Sequence, residues 1–162
     1  GFFQPVGPES TGELAGAHGF AASCDVRPEP LIPKAESLNA TLYVEALRAR
    51  GRGAAVYVTT DAVPFFLREV LPRVRQGFVL VSGSSDNCLA EVVRRSDFDA
   101  LLEDPRLLRW FAQNAEWRHP KLAQLPIGLD LHSLSVQAWP SWGGKQPARA
   151  QELALLAARA RA

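Results

Sequence analysis

Two short apolar runs, separated by an amphipathic segment, dominate the middle of the chain. Residues 54–60 (AAVYVTT) and 78–81 (FVLV) are apolar and rich in β-branched residues, which is typical of parallel strands buried on both faces. Between them, residues 61–75 predict a helix whose apolar residues share one face: Val63, Phe66, Leu67, Val70, Leu71 and Val74. Strand, helix and strand with short connections form a βαβ unit. The pattern predicts an α/β fold with an open, mostly parallel Rossmann-like sheet and helices on both faces, with these two strands adjacent in its middle.

The segments on either side divide the chain into three predicted parts. Residues 1–35 carry repeated Gly and Pro, which disfavour regular structure, and predict an irregular N-terminal arm. Residues 36–146 are expected to form the Rossmann-like domain, beginning with a helix over 36–50 that ends at Gly51. Residues 147–162 predict a C-terminal helix, which we expect to lead into a second domain.

Secondary structure after the βαβ unit is less clearly patterned. Short helices are predicted over residues 88–93 and 96–102. Residues 106–114 fit either a helix or a helix that runs into a strand. Residues 125–127 predict a last strand, in which Pro126 must lie at an edge or at the strand end because it has no N–H to donate.

Polar side chains follow the predicted strands. In an open parallel sheet, ligands bind beyond the carboxyl ends of the strands, near the point where the strand order reverses. We therefore expect the residues that follow the strands to converge on one concave edge and to hold a hydroxyl-rich ligand there: Thr60, Asp61, Ser84, Asp86, Asn114 and Asp130.

Each of these features also has a purely structural interpretation. Asp61 is suited to capping a helix, Asp130 to capping a turn, and residues 82–87 are of types that favour an ordinary turn. His119 is either a surface histidine without a role or a general base or sugar contact. Trp117 is either a packing anchor or a stacking face for a sugar ring. Neither GxxxxGK[ST] nor GxGxxG occurs in the sequence, so no phosphate-binding motif is predicted.

Composition restricts the classes of function. The 162 residues are 47% hydrophobic and 22% charged, as in an ordinary globular domain. The net charge of +1 comes from charges of both signs spread along the chain, which argues against a nucleic-acid-binding surface. No run of apolar residues is long enough for a transmembrane segment.

Cysteine usage and short motifs add two further expectations. Cys24 and Cys88 are too few for a disulfide scaffold and have no zinc-ligand spacing, so we expect both to be dispensable for folding and predict no metal site. The triplet Asn39-Ala40-Thr41 is an N-glycosylation acceptor. It favours the secretory pathway, and the Golgi lumen, over the cytoplasm, while leaving the compartment open.

Five pieces of sequence resemble a known family: VYVTTD (56–61), FVLVSGSSD (78–86), WFAQN (110–114), HPKL (119–122) and PIGLD (126–130). Together they are similar to exostosin-like glycosyltransferases, which are built from two Rossmann-like domains that face each other across a cleft. In such enzymes the nucleotide-sugar donor lies mostly on the second domain and the acceptor on the first. The resemblance implies that this chain is the first domain, with no cofactor of its own and with the donor held by a second domain or a partner chain.

The resemblance also implies roles for individual residues. Asp86 or Asp61 would be the base for an acceptor hydroxyl, and Lys121 a charge for an anionic group. The remaining polar residues would bind a carbohydrate or another hydroxyl acceptor: Thr60, Ser84, Asn114, His119 and Asp130. The alternative is a non-catalytic α/β binding or assembly module within a larger complex.

Overall fold

The computed structural model of the chain describes residues 17–29 and 37–126. Their core is a four-stranded, all-parallel sheet in the order β1-β2-β3-β4. The strands are β1 (Ala54–Thr59), β2 (Phe78–Gly83), β3 (Leu107–Gln113) and β4 (Leu122–Leu125). The α-helices are α1 (Ala17–Ala22), α2 (Ala40–Arg50), α3 (Val63–Phe65), α4 (Leu89–Val92) and α5 (Arg95–Glu103). The predicted α/β fold with an open, parallel, Rossmann-like sheet is confirmed.

The predicted βαβ unit is present, but β1 does not lie in the middle of the sheet. β1 and β2 pair in parallel, with Ala54 opposite Phe78 and Thr59 opposite Gly83. In the described part of the chain, the outer side of β1 carries a single bridge, in which Val26 donates to the Ala55 oxygen at 3.0 Å and accepts from the Tyr57 N–H at 2.8 Å. This bridge and α1 both fall within the range predicted to be an irregular arm.

Two helices differ from the sequence-based prediction. α2 begins at Ala40, four residues later than expected, because the Asn39 side chain caps it by accepting from the N–H groups of Thr41 and Leu42. The helix expected over residues 61–75 is a crossover made of short segments, which are 3₁₀ (Thr60–Ala62), α3, π (Phe66–Val70) and 3₁₀ (Leu71–Arg73). Pro72 lies in its last segment, where the missing N–H interrupts regular helical hydrogen bonding.

The predicted cap at Asp61 is wrong. Asp61 lies inside the first 3₁₀ segment, and Thr59 at the cap position makes no side-chain cap hydrogen bond. Residues 106–114, which fitted either a helix or a helix that runs into a strand, contain the strand β3. The strand expected over residues 125–127 is β4, which begins earlier, at Leu122, and ends at Leu125, directly before Pro126. The predicted helix over 147–162 lies outside the described residues.

Alternating side chains give the sheet two faces of different character. On the first, which we call the helix face, Val56, Val58, Leu80 and Trp110 are buried together with residues of α2, α5 and the crossover after β1. On the second, which we call the α1 face, Tyr57 and Val81 are buried with Ala21 of α1 and Cys24. The helices therefore cover both faces, but unequally.

The strand order explains this asymmetry. When successive parallel strands are added in one direction with crossovers of constant hand, the connecting helices all lie on the same face. Here the order runs from Val26 through β1, β2 and β3 to β4 without turning back. The reversal of strand order that the sequence argument placed beside the site is therefore not found among the described strands.

No helix in the described ranges is long and apolar enough to cross a membrane.

Candidate functional site

The segments that follow β1 and β2 are joined by a side-chain hydrogen bond. The Asn87 amide donates from Nδ2 to Oδ1 of Asp61 at 2.7 Å, and both side chains are exposed. The bond uses one carboxylate oxygen and sets the orientation of the group. Because both residues follow the carboxyl ends of parallel strands, Asp61 lies at the edge of the sheet beyond which open α/β folds bind ligands, although the described strands have no reversal of order there.

The residue after β3 holds the loop that carries Asn87. Asn114 donates from Nδ2 to the backbone oxygens of Ser85 (3.2 Å) and Asn87 (3.4 Å), and its own backbone oxygen accepts from the Leu89 N–H at 3.1 Å. It adopts a left-handed conformation, with φ 49°, which asparagine tolerates better than most residues. Asn114 thus fixes the loop that presents Asn87 to Asp61.

Ser84 is held from two directions at the end of β2. Its N–H donates to Oε1 of Gln113 at 2.7 Å, and its hydroxyl oxygen accepts from the Tyr57 hydroxyl at 2.6 Å. Burial raises the pKa of Tyr57 to about 12, so Tyr57 is protonated at neutral pH and can donate this hydrogen bond. The Ser84 hydroxyl therefore retains its own hydrogen for an acceptor such as a ligand oxygen.

The backbone at Ser84 is strained. Its φ is 55°, a left-handed conformation that costs roughly 1–2 kcal/mol for an L-residue other than glycine. Strained residues of this kind cluster at functional sites, where the surrounding structure holds them in place. Two of the three strand-end loops in this part of the molecule thus carry a left-handed, non-glycine residue: Ser84 and Asn114.

Thr60 and Asp86 also follow the strands, and we use the name carboxyl-edge site for the six residues that come after the carboxyl ends of β1, β2 and β3: Thr60, Asp61, Ser84, Asp86, Asn87 and Asn114. Thr60 is fully buried, and its hydroxyl has no hydrogen-bond partner among the described residues. An unpaired buried hydroxyl costs about 1–3 kcal/mol. Asp86 is exposed in the same loop as Ser84 and Asn87. Asp130, also predicted for this edge, lies outside the described residues.

The structure does not bring His119 and Lys121 to this edge. Lys121 donates from Nζ to the backbone oxygen of Asp104 at 2.8 Å, and His119 Nε2 lies 3.9 Å from Oε1 of Glu103. Glu103 and Asp104 precede β3, so the side chains of His119 and Lys121 lie near the amino ends of the strands. His119 also accepts at Nδ1 from the Lys121 N–H at 3.1 Å. These contacts hold the turn before β4 against the end of α5.

Trp117 takes the packing role that was one of its two interpretations. Its ring lies 4.3 Å from the Phe98 ring, centroid to centroid, and the Arg95 guanidinium stands 5.4 Å from its centroid. The Trp117 ring thus already contacts one aromatic ring and one guanidinium group.

One groove in the described part of the molecule lies away from these residues. It has a volume of about 650 Å³ and lies between the crossover after β1, at Pro64 and Leu67, and α4 and α5, at Val92 and Asp97. It contains none of the residues of the carboxyl-edge site.

Within residues 17–29 and 37–126, no group of three His, Cys, Asp or Glu side chains is placed to hold a metal ion.

The hydrogen bonds of three supporting residues were not predicted from the sequence, which assigned these residues no role in the site: Tyr57, Asn87 and Gln113. Tyr57 was placed in a strand and Asn87 in a polar loop, and both positions are correct. Their partners lie 27 and 26 residues away along the chain. No local spacing predicts such pairs, because they depend on which strands become neighbours.

Comparison of the chain with models of protein families, with curated proteins and with solved structures found no match in any of the three. The exostosin-like resemblance of the sequence therefore stays an expectation, and the function is argued from the geometry of the carboxyl-edge site.

Proposed function

We propose that this chain is the acceptor-side domain of a glycosyltransferase and binds a carbohydrate or another hydroxyl-bearing acceptor at the carboxyl-edge site. The observation that carries the proposal is the Asp61 carboxylate, oriented by the Asn87 amide at 2.7 Å on the edge where open α/β sheets bind ligands. The sequence resemblance supports the same assignment.

The chemistry needs a base for the acceptor hydroxyl. As the hydroxyl oxygen attacks the anomeric carbon of a nucleotide-sugar donor, a carboxylate removes its proton and the nucleoside diphosphate leaves. The donor would be held by a second Rossmann-like domain or a partner chain. The part of this reaction assigned to the chain is therefore to bind and orient the acceptor and to accept its proton.

Asp61 suits the role of base better than Asp86. A base must lie at hydrogen-bonding distance from its proton in a fixed orientation, and the Asn87 amide provides that orientation for Asp61. Asp86 and Ser84 would then contact neighbouring hydroxyls of the acceptor, Asp86 as an acceptor of hydrogen bonds and Ser84 as a donor. Asn114 serves as a positioning residue for the loop.

The second candidate function is a non-catalytic α/β binding or assembly module. One observation favours it: the described strand order runs in one direction only, so α1 is the sole described helix on the α1 face. A sheet with one sparsely covered face is suited to packing against further structure. In this case the polar loops at the carboxyl edge would serve only to shape the turns.

Binding of acceptors to the isolated chain tests the carbohydrate proposal. Backbone amide NMR spectra would be recorded during titration with a panel of neutral and acidic oligosaccharides, for the wild-type protein and for Asp61→Asn. We expect shifts at residues 84–88 and 114 that weaken in the variant. Arg68 and Glu69, an exposed ion pair on the crossover, provide control signals that should not move. An absence of shifts throughout the panel, or shifts confined to other surfaces, would contradict the carbohydrate proposal.

A further inference from the structure

The acceptor triplet for N-glycosylation, Asn39-Ala40-Thr41, lies at the start of α2. Of the three asparagines in the sequence, Asn39 alone is followed by Ser or Thr at the second position. Such triplets also occur by chance, and an acceptor asparagine is expected at the surface of a protein. The position of Asn39 in the fold therefore decides whether the triplet is usable.

Asn39 is at the surface and engages only one end of its amide group. Both Asn39 and Thr41 are exposed. Oδ1 of Asn39 accepts from the N–H groups of Thr41 at 3.0 Å and Leu42 at 3.4 Å, whereas its Nδ2 has no hydrogen-bond partner among residues 17–29 and 37–126. The oxygen of an amide is an acceptor and the nitrogen carries two separate donors. Capping of α2 thus leaves the nitrogen of Asn39 free to react.

The other two asparagines use the opposite end of the amide. Nδ2 of Asn87 donates to Asp61 at 2.7 Å, and Nδ2 of Asn114 donates to the backbone oxygens of Ser85 and Asn87 at 3.2 and 3.4 Å. Neither asparagine begins an acceptor triplet. In the described part of the chain, the acceptor motif and an unengaged amide nitrogen therefore coincide at Asn39.

We propose that Asn39 is a modification site that carries an N-linked oligosaccharide while it continues to cap α2. The co-substrate is an oligosaccharide linked to a lipid through a pyrophosphate. A bond forms between Nδ2 of Asn39 and the anomeric carbon of the first sugar, and the bond from that carbon to the pyrophosphate oxygen breaks. The lipid pyrophosphate leaves, and one Nδ2 proton passes to a base of the transferase.

The attached sugar is compatible with the fold because the reacting atom is not the capping atom. The product is still an amide, so Oδ1 retains its lone pairs for the N–H groups of Thr41 and Leu42. A glycan is bulky and requires a surface position, which the exposed Asn39 provides. The Thr41 hydroxyl accepts from Nη2 of Arg73 at 3.1 Å, and this contact is exposed as well. The glycan thus adds to α2 without displacing a hydrogen bond of the described residues.

This modification places the chain in the lumen of the secretory pathway, where such donors are used. It does not rest on the proposed glycosyl transfer, because here the chain is the acceptor and Asn39 does not belong to the carboxyl-edge site. A loss of sugar transfer in the Asp61 variant and a loss of the glycan at Asn39 are therefore separate outcomes.

Secretion of the complete 162-residue chain from eukaryotic cells, directed by a cleavable signal peptide, tests the proposal. We expect the wild-type protein to migrate as a glycoprotein and to gain mobility after digestion with peptide N-glycosidase under native conditions. The digestion converts the carrier asparagine into aspartate, which peptide mass spectrometry should locate at residue 39. Secreted wild-type protein without a glycan, or with its only glycan at another residue, would overturn the proposal.

Two variants of Thr41 provide a matched control for the motif. Thr41→Ser keeps a hydroxyl at the position that the acceptor triplet requires and should retain the glycan. Thr41→Val has nearly the shape of threonine without the hydroxyl and should lose the glycan. A glycan that persists in Thr41→Val would show that the triplet is not what the transferase recognises.

Two variants of Asn39 separate the glycan from the helix cap. Asn39→Asp removes the acceptor nitrogen but keeps a capping oxygen, and Asn39→Ala removes both. Neither should carry a glycan, but only Asn39→Ala should lower the melting temperature, by about 4 °C relative to the enzymatically deglycosylated wild type. The glycosylated wild type should melt no lower than the deglycosylated protein. A glycosylated protein that melts as low as Asn39→Ala would show that the sugar disrupts the cap.

Discussion

Oε1 of Gln113 lies 2.5 Å from the position that a Cβ atom would take at Gly83. The same oxygen accepts the Ser84 N–H at 2.7 Å, so the end of β3 supports the turn after β2 only because residue 83 has no side chain. This close approach connects a glycine in a strand to the geometry of the carboxyl-edge site.

Gly83→Ala should destabilise the protein by about 1–3 kcal/mol, because the added methyl group must displace Gln113 from its hydrogen bond. Gly77→Ala is the matched control. There the new Cβ would meet the Leu108 side chain at 3.3 Å, and Leu108 is exposed and can move, so the change should stay within about 0.5 kcal/mol. Urea denaturation measures both. A Gly83→Ala protein as stable as the control would show that Gln113 yields without cost.

Ser84 allows backbone strain to be separated from its hydrogen bond with Tyr57. Ser84→Ala removes the hydroxyl and keeps the side chain at φ 55°, whereas Ser84→Gly removes both. The glycine variant should therefore be more stable than the alanine variant by about 1 kcal/mol. Equal stabilities of the two variants in chemical denaturation would show that the left-handed conformation is not strained here.

The hydrogen bond itself is measured by a double-mutant cycle between Tyr57→Phe and Ser84→Ala. Each single change should cost about 1 kcal/mol. The double variant should lose less free energy of unfolding than the two single variants together. The two hydroxyl groups meet at 2.6 Å, so either substitution alone already removes their hydrogen bond. Strict additivity would mean that the bond contributes nothing to stability.

If the proposed function holds, Asp61→Asn in a protein that unites this chain with the proposed donor-binding domain should reduce sugar transfer by about 100-fold or more. The melting temperature should change little, because Asp61 is exposed and exposed polar contacts contribute little to stability. Asp86→Asn is the parallel variant. Asp86 lies in the loop after β2 that also carries Asn87, and its substitution should have the smaller effect on sugar transfer. The reverse order would assign the base to Asp86, and unchanged transfer in both would remove the carboxyl-edge site as the centre of reaction.

Asp104 should make stability depend on pH. Hydrogen bonds and the charge of Arg106, at 2.6 Å, hold the pKa of Asp104 below its usual range. A carboxyl group with a lowered pKa in the folded state stabilises the protein above its unfolded pKa of about 3.9, and this stabilisation is lost as the pH falls through the folded value. The difference in free energy of unfolding between wild type and Asp104→Asn should thus be largest near neutral pH and shrink below about pH 4. A difference independent of pH would rule out this linkage.

Cys24 should resist thiol reagents in the folded protein. Its side chain is buried, and burial, with a smaller effect from Asp25, raises the pKa of the thiol to about 12. Because the thiolate is the reactive form, labelling at pH 8 should modify Cys24 only after unfolding, while the half-exposed Cys88 should react first. Both cysteines are free in the structure. Rapid labelling of Cys24 under native conditions would show that its surroundings open frequently.

The sequence by itself determined the order of strands and helices around the βαβ unit. Buried parallel strands and amphipathic helices leave local periodic patterns that can be read within a window of a few residues. The run 78–81 thus predicts β2, and the polar residues after it predict a loop at the carboxyl edge. Irregular helices are harder to predict from the sequence, because the 3₁₀ and π segments within residues 60–73 have the same apolar pattern as an ordinary α-helix.

Only the tertiary structure decided which polar residues meet. Asp61 was expected to cap a helix and instead accepts from Asn87, and Lys121, grouped with the site by sequence resemblance, points to the other end of the strands. Strand neighbours and their register are set by packing over the whole sheet, and contacts between residues more than 25 positions apart leave no periodic trace in the chain. The unequal cover of the two sheet faces by the described helices has the same origin, because it follows from the direction in which the strands are added.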